Sequence, residues 1–373
     1  MGVKRGMLLA AAAAVVVVAS DAHAGATVNF GEDKSVSVGF GMRESYTSAK
    51  DGAPNGTDRS SDFNLDSARL FLGASLNKNI KGMLNTEWDG DKIRILDAAG
   101  QFAISPELNI WAGRLLSPSD RANMAGPYYS LGGGYWAGVA SRYGYNGGIF
   151  RGRDDGVVVW GDVAEGKLGY SFGVFEGHTF GIGSMTQSQA KAAGVKADDS
   201  LMYAGRLQYD FWDAEPGYYG TGNYLGGADI LSIGVAGRYQ KDGILTVAKS
   251  GKYSSYNVDF LMEKRVKGSG AFALEAAWYD YNTDDIIKSE QGKAYSAGAS
   301  WIFEEKAGWG KFQPFVRWQK FAADTDIDTK QYDAGVNYII DGYNAQASAV
   351  YSKTKMTKAA DTDKFSVTLQ LQF

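Results

Sequence analysis

Apolar and polar residues alternate strictly over residues 365–373. The apolar positions are Phe365, Val367, Leu369, Leu371 and Phe373, and the residues between them are Ser366, Thr368, Gln370 and Gln372. A period of two places successive side chains on opposite faces of a β-strand. The segment is therefore predicted to be a strand with one wholly apolar face and one polar but uncharged face.

The same alternation recurs along the sequence and predicts sixteen β-strands in one domain, residues 25–373. With an even number of antiparallel strands the chain ends on the side of the membrane where it began, as closure of a bacterial barrel requires. Closure also leaves no unpaired sheet edge. The predicted strands span residues 34–46, 64–76, 80–88, 92–104, 107–115, 156–163, 167–177, 200–213, 229–240, 252–265, 270–281, 292–304, 310–322, 329–339, 343–351 and 364–373.

The predicted connections differ in length at the two ends of these strands. Short turns at one end and long loops at the other are typical of transmembrane barrels. The Gly- and Tyr-rich stretch 214–228 is an exception, because it lies at the end that carries the short turns and is too long for a tight turn. The short connections are 77–79, 105–106, 164–166 and 340–342, and the long ones are 47–63, 116–155, 178–199 and 352–363.

Alternation alone also fits a soluble β-sandwich, in which one face is buried and the other is solvated. Two further features favour a membrane barrel. A strand that ends on the aromatic residue Phe373 resembles the C-terminal assembly signal of outer-membrane proteins, so Phe373 is expected to direct assembly. Aromatic residues also collect at the ends of the apolar rows, where interfacial girdles need them; they include Tyr239, Trp278, Trp301, Trp318, Tyr338 and Tyr351.

The N-terminus predicts export through the inner membrane. Lys4 and Arg5 precede an apolar run at 7–19, and Ala22-His23-Ala24 supplies the small residues that a signal peptidase reads. The run is shorter than the roughly 20 apolar residues of a membrane-spanning helix, although an uncleaved inner-membrane anchor is the alternative. Residues 1–24 are therefore predicted to be a cleaved signal peptide, and the bacterial outer membrane is the predicted location.

Composition argues against most kinds of catalysis. The sequence has no Cys, and of its two His residues only His178 remains after residue 24. Thiolate chemistry, zinc sites and His-based acid–base catalysis therefore lack their usual side chains. We predict that the protein is not an enzyme and that it has no cofactor and no metal site. Nucleic-acid binding is not predicted either, because there is no basic patch.

The longest predicted connection, residues 116–155, is the third one at the end of the strands that carries the long loops, which is predicted to be the external end. A structureless loop of this length is uncommon unless it has a function. A sixteen-stranded barrel is wide enough to hold an aqueous channel. The third loop is therefore expected to fold into the pore and to bring its charges close to a passing solute.

Several short segments carry a resemblance to a known family. They are SARLFLG at 67–73, LDA at 96–98, LNIWAGR at 108–114, RDDG at 153–156, YSFGVFEG at 170–177 and AGRLQY at 204–209. These segments resemble elements of the phosphate-selective porin O and P family, within the general outer-membrane porin superfamily. The resemblance covers most of the chain after residue 24, and it implies a sixteen-stranded and usually trimeric pore.

Nine arginines are candidates for the pore constriction and lumen. Those outside the third loop are Arg69, Arg206, Arg238 and Arg317 on inward positions and Arg114 beside the loop; those within it are Arg121, Arg142, Arg151 and Arg153, against Asp120, Asp154 and Asp155. The guanidinium fork suits oxyanions, so a weak, phosphate-like anion preference is expected. Carboxylates oppose it at Glu87, Asp259, Glu263 and Glu275, and the chain after residue 24 carries a net charge of −5, with 36 basic and 41 acidic residues.

These patterns predict a passive channel for small hydrophilic solutes or anions. Its other expected partners are the lipid bilayer, lipopolysaccharide and two further copies of itself in a homotrimer. Two alternatives remain open: a structural or adhesive barrel whose lumen is blocked by the third loop, and a barrel enzyme of the outer membrane.

The signal peptide is directly testable. Because Ala22-His23-Ala24 is well placed for cleavage, protein purified from the outer membrane is expected to begin at Gly25. N-terminal sequencing checks this expectation, and a sequence that starts at Met1 would contradict it.

Overall fold

The structure is a computed structural model that describes residues 25–88, 90–143, 152–178, 187–195, 198–246 and 249–373. The predicted signal peptide, residues 1–24, and Arg151 lie outside these ranges. Among the described residues, no helix is both long enough and apolar enough to span a membrane.

Antiparallel β-strands make up most of the described chain. Two short helices interrupt them, α1 at Arg121–Ala125 and α2 at Gln187–Ala192. The strands are β1 Ala26–Gly31, β2 Lys34–Ala49, β3 Asp62–Ser75, β4 Ile80–Trp88, β5 Ile93–Ser105, β6 Leu108–Leu116, β7 Arg153–Val163, β8 Leu168–Phe175, β9 Met202–Asp210, β10 Ile230–Leu245, β11 Ser250–Val266, β12 Gly270–Asn282, β13 Gly292–Phe303, β14 Lys311–Ala323, β15 Asp328–Asp341, β16 Ala345–Met356 and β17 Thr362–Gln372.

The strands β2 to β17 form a closed barrel. Each pairs antiparallel with the next one along the chain, and β17 pairs with β2. The closing register runs from Gly41 opposite Gln372 to Ala49 opposite Lys364. The sixteen predicted strands overlap these sixteen one for one, so the prediction of a sixteen-stranded antiparallel barrel is confirmed.

One strand, β1, was not predicted. It forms a hairpin with the first part of β2, from Ala26 opposite Val38 to Gly31 opposite Lys34. Its six residues are too few for their alternation to stand out from a loop. Directly beyond this hairpin, the backbone of Phe373 exchanges two hydrogen bonds with that of Phe40, and their ring centroids are 5.7 Å apart.

Burial in the strands is the reverse of that in a soluble sheet. Apolar side chains on one face are exposed, for example Val316 at 58% and Leu207 at 53%. Polar side chains on the other face are fully buried, for example Gln319 and Ser232, both at 0%. A continuous exposed apolar surface is a liability in water but suits lipid, which is equally apolar. We conclude that the apolar face contacts lipid and that the polar face encloses the lumen.

The two ends of the barrel differ in their connections. The long-loop end carries the connections 50–61, 117–152 and 176–201, whereas the short-turn end carries tight turns such as 76–79 and 164–167. The connection from β9 to β10, residues 211–229, is again the long exception at the short-turn end.

A charge on the outer face tests its contact with lipid. Val235 lies between Leu207 and Val258 on neighbouring strands, and all three side chains are exposed. Val235→Arg is expected to lower the free energy of unfolding by about 2–4 kcal/mol in lipid vesicles, because arginine is costly in the hydrocarbon region. Urea unfolding followed by tryptophan fluorescence measures the change. Val235→Leu is the matched control, and equal stability of the two variants would contradict a lipid-facing position.

Candidate functional site

The third loop, residues 117–152, contacts the barrel wall far from its own strands. Arg317 on β14 donates hydrogen bonds to the carbonyl oxygens of Leu131 and Gly132, the latter at 3.2 Å. On β17, Gln370 donates to the carbonyl oxygen of Tyr128 at 3.0 Å. The donors in both cases belong to the buried polar face of the barrel.

Asp120 binds the beginning of the third loop to the barrel wall through hydrogen bonds. Its carboxylate makes no side-chain cap to helix α1 and instead accepts hydrogen bonds from the hydroxyl groups of Tyr279, at 2.8 Å, and Ser141, at 3.0 Å. Burial raises the pKa of Asp120 to about 6, and the two hydrogen bonds oppose that rise. The carboxylate thus joins the start of the loop to its later part and to β12.

Arg121, the first residue of α1, is the centre of a buried charge network. Its two terminal nitrogens donate to the two carboxylate oxygens of Glu215 at 2.7 Å each, and one of them also donates to Ser232 at 2.8 Å. Beside it, Arg206 forms a bidentate pair with Asp259 at 2.6 and 2.8 Å. Burial alone would raise the pKa of Glu215, but the charge and hydrogen bonds of Arg121 outweigh it, so the pKa lies below its ordinary value.

Glu215 belongs to the β9–β10 loop, residues 211–229, which therefore meets the third loop. The Gly222 N–H donates to the carbonyl oxygen of Tyr129 at 2.9 Å, and the Tyr218 hydroxyl donates to the carbonyl oxygen of Leu116, the last residue of β6 before the third loop. The unusual length of this connection is explained by these contacts, because a tight turn could not reach the third loop.

The later part of the β9–β10 loop, at Asn223, is bound by β14 and by the turn between β15 and β16. The Gln313 side chain donates to the Asn223 side chain at 3.2 Å, and the Tyr343 hydroxyl donates to the Asn223 carbonyl oxygen at 2.8 Å. The loop is consequently fixed at both Glu215 and Asn223.

Most of the predicted lumen arginines are neutralised. Arg238 donates to the carbonyl oxygen of Tyr143 and lies 4.7 Å from the centroid of that ring. Arg151 is outside the described residues. The other seven each pair with a carboxylate: Arg69 with Glu87, Arg114 with Asp155, Arg121 with Glu215, Arg142 with Glu290, Arg153 with Asp97, Arg206 with Asp259 and Arg317 with Asp333.

Arg114 differs from the expectation that it contributes to the lumen. The buried residues Asn109 and Trp111 set the inner row of β6, so the period of two places Arg114 on the outer row. On β7, Asp155 lies directly opposite Arg114 and two residues from the exposed Val157, so Asp155 and Val157 belong to the same outer row. Residues that lie opposite each other on neighbouring strands point to the same face of the sheet. The Arg114–Asp155 pair, at 2.7 and 2.8 Å, is therefore on the outer surface.

Arg43 is a lumen residue that the sequence analysis did not identify. Tyr128 of the third loop lies between Arg43 and Arg69, with guanidinium-to-ring distances of 5.3 and 4.9 Å. Within the described chain Arg43 forms no ion pair, and its Nε has no hydrogen-bond partner. A Cβ at Gly134, where φ is 119°, would lie 2.5 Å from the Arg43 guanidinium, so only glycine lets the loop approach so closely. The apolar residues at the alternate positions Val36, Val38, Phe40 and Met42 were the signal that could have placed Arg43 on the opposite face.

An open space of about 380 Å³ remains between the loops and the wall formed by β2 to β5. We call it the lumen cavity. Its charged lining residues are Arg69, Lys81, Arg153 and Asp97. Since Asp97 pairs with Arg153 at 2.7 Å, the lining carries an excess of positive charge. Lys81, which was also not predicted, forms no ion pair with any described residue.

Solved structures with the same architecture are bacterial outer-membrane proteins. An anion-selective porin from Comamonas acidovorans is 13% identical, with a TM-score of 0.61 over 91% of this chain and 100% of the porin. The outer membrane channel DcaP of Acinetobacter baumannii is 12% identical, with a TM-score of 0.59 over 94% and 99% of the two chains. OmpF of Salmonella typhi is 11% identical, with a TM-score of 0.59 over 93% and 100%.

The chain has the fold of the outer-membrane porins. At these identities the likeness shows the fold alone, and the outer membrane is the location that this fold and the exposed apolar face indicate. No family model and no curated protein matches the sequence. Membership of the phosphate-selective porin O and P family therefore stays a prediction.

An engineered disulfide tests whether the two loops meet. A Cβ at Gly220 would lie 3.6 Å from the Cβ of Met124, within the range of about 3.5–4.5 Å that a disulfide needs. The native chain has no Cys, so Met124→Cys combined with Gly220→Cys is expected to form one bridge on oxidation. Thiol labelling of the denatured protein, with and without reductant, measures it. Met124→Cys with Gly342→Cys should remain unbridged, because no atom lies within 4 Å of a Cβ at Gly342. Two free thiols in the first variant would contradict the contact.

Proposed function

We propose that the protein is a channel of the bacterial outer membrane through which small hydrophilic solutes diffuse, with a weak preference for anions. The observation that carries this proposal is the barrel with its apolar face outside and its polar face inside. A wall of this kind shields polar solutes from the hydrocarbon of the bilayer.

We infer that the third loop and the β9–β10 loop both lie in the lumen and narrow it. The hydrogen bonds from Arg317 and Gln370 support this position for the third loop, and the bond from Gln313 supports it for the β9–β10 loop. A sixteen-stranded barrel without such loops leaves a wide aqueous channel. The lumen cavity is the part of that channel that the loops leave open.

The anion preference follows from the few cations that are not neutralised. Arg43 and Lys81 form no ion pair with any described residue, whereas Glu87 and Asp97 offset Arg69 and Arg153. Charges act on a solute within about 8 Å at physiological salt, so these residues matter more than the net charge of the chain. The preference is expected to be weak, because most of the described lumen arginines pair with carboxylates and few cations, Arg43, Lys81 and Arg238 among them, form no ion pair within the described chain. The likeness to an anion-selective porin agrees with this direction.

Assembly is part of the same proposal. The outer face would contact lipid and, at the long-loop end, lipopolysaccharide, and three copies would form a homotrimer. Phe373 would direct assembly through the strand that closes the barrel, where its backbone pairs with that of Phe40.

A barrel with a blocked lumen is the second candidate. The observation that favours it is the burial of the lumen's polar face, together with the network of Arg121, Glu215 and Asp259 that joins both loops to the wall. Such a barrel would serve a structural or adhesive role, and it would not conduct ions.

Recordings in a planar bilayer separate the two candidates. The wild type is expected to conduct, and its reversal potential in a potassium chloride gradient should show chloride preference. Arg43→Gln is expected to reduce that preference, because it removes an unpaired cation beside Tyr128. Arg114→Gln is the matched control and should leave the reversal potential unchanged, since Arg114 lies on the outer face. A cation preference in the wild type would contradict the proposed selectivity, and absence of conductance would support the blocked barrel.

A further inference from the structure

We propose that the lumen cavity is a binding site for small organic anions that carry a carboxylate on an aromatic or other apolar body. This inference rests on the proposed channel function and names the class of solute that the channel would favour over inorganic ions.

The size of the cavity points to an organic ligand. Its volume of about 380 Å³ falls within the range of roughly 300–1,000 Å³ that is usual for small-molecule sites. An inorganic oxyanion would fill only a small part of it. Much of its wall is aromatic or contains sulfur, from Phe71, Met83, Tyr128, Tyr129 and Tyr219. Such a wall offers favourable contacts to a planar or apolar body and none to a hydrated inorganic ion.

The rings in this wall are held in place before any ligand arrives. Phe71 packs edge-to-face on Tyr128 with centroids 6.4 Å apart, and the hydroxyl groups of Tyr128 and Ser67 are 2.9 Å apart. Tyr129 packs against Tyr343 with centroids 5.2 Å apart. Because these side chains are already ordered, a ligand would not have to spend binding energy on ordering them.

A cation lies at each end of this apolar wall. At one end, Arg69 uses its Nε for the pair with Glu87, and its two terminal nitrogens form no hydrogen bond within the described chain. A guanidinium edge suits a carboxylate. At the other end, towards the short turns, Lys81 is exposed and forms no ion pair with any described residue.

The two cations are too far apart for one small anion to contact both. Arg69 pairs with Glu87 and Ser75 pairs with Lys81, so they are separated by roughly 20 Å of strand at about 3.4 Å per residue. Phe71 and Met83 lie on the strands between them. Because Arg69 is already paired with Glu87, an organic anion would place its carboxylate at Lys81 while its body lies on the apolar wall.

A ligand with only the negative charge, or only the aromatic body, is expected to bind weakly. Phosphate would meet the cations but would gain nothing from the aromatic wall, whereas a neutral aromatic alcohol would lose the charge-assisted hydrogen bonds. Benzoate combines both features. We therefore expect benzoate to bind more tightly than either inorganic phosphate or benzyl alcohol, by about tenfold, which corresponds to about 1.4 kcal/mol.

Equilibrium dialysis of the purified full-length protein in detergent measures this binding without requiring conductance. Radiolabelled benzoate is the probe, and phosphate and benzyl alcohol are the competitors. Lys81→Gln is expected to weaken benzoate binding several-fold, because it removes the unpaired cation. Tyr219→Ser is expected to weaken benzoate binding while leaving phosphate binding unchanged, because it removes only part of the aromatic wall.

Lys34→Gln is the matched control. Lys34 is an exposed lysine at the same end of the barrel, on the outer row that contains Val36 and Val38, so its loss should leave benzoate binding unchanged. Equal affinities for benzoate, phosphate and benzyl alcohol, or equal effects of Lys81→Gln and Lys34→Gln, would overturn the site. If the protein conducts chloride selectively but shows either of these equalities, the proposed channel function stands and only the binding site is contradicted. Benzoate binding in a protein that does not conduct would support the binding site and contradict the proposed channel function.

Discussion

Every backbone N–H and C=O group within a lipid bilayer must find its hydrogen-bond partner inside the protein, because hydrocarbon offers none. A sheet can meet this requirement only by closing on itself, as β2 and β17 do here. Closure then gives each strand one face towards lipid and one towards the lumen. This is why Val316 is exposed while Gln319, three residues along the same strand, is buried.

Closure also creates an interior that is lined with polar and charged side chains. Two loops pack against that lining, and their contacts bring many charges out of water. A buried charge without a partner costs several kcal/mol, so arginine is matched with carboxylate at Arg121, Arg206 and Arg317. The described cations without an ion pair are therefore few, and the proposed selectivity would depend on exceptions such as Arg43 and Lys81.

The arginines illustrate how far sequence reasoning extended into the site. Alternation predicted an inward position for Arg69 and Arg317, because the face of a strand residue depends only on whether its position along the strand is odd or even; in the structure Arg317 is buried and Arg69 is partly buried. Arg114 was assigned by its nearness to the third loop rather than by parity, and it lies outside. Arg43 follows the parity rule and could have been found. Which arginines are neutralised could not be read from the sequence, because Arg121 and Glu215 are 94 positions apart.

The sequence by itself determined the sixteen strands of the barrel, their two chemically distinct faces and the position of the longest loops. These features follow from local alternation and from closure, which is the one way in which a sheet can satisfy all its backbone groups within a bilayer. Only the tertiary structure decided that the β9–β10 loop meets the third loop, that Tyr128 lies between Arg43 and Arg69, and that a cavity remains beside them. Those arrangements depend on the curvature and register of the closed barrel, which bring together side chains that no local pattern connects.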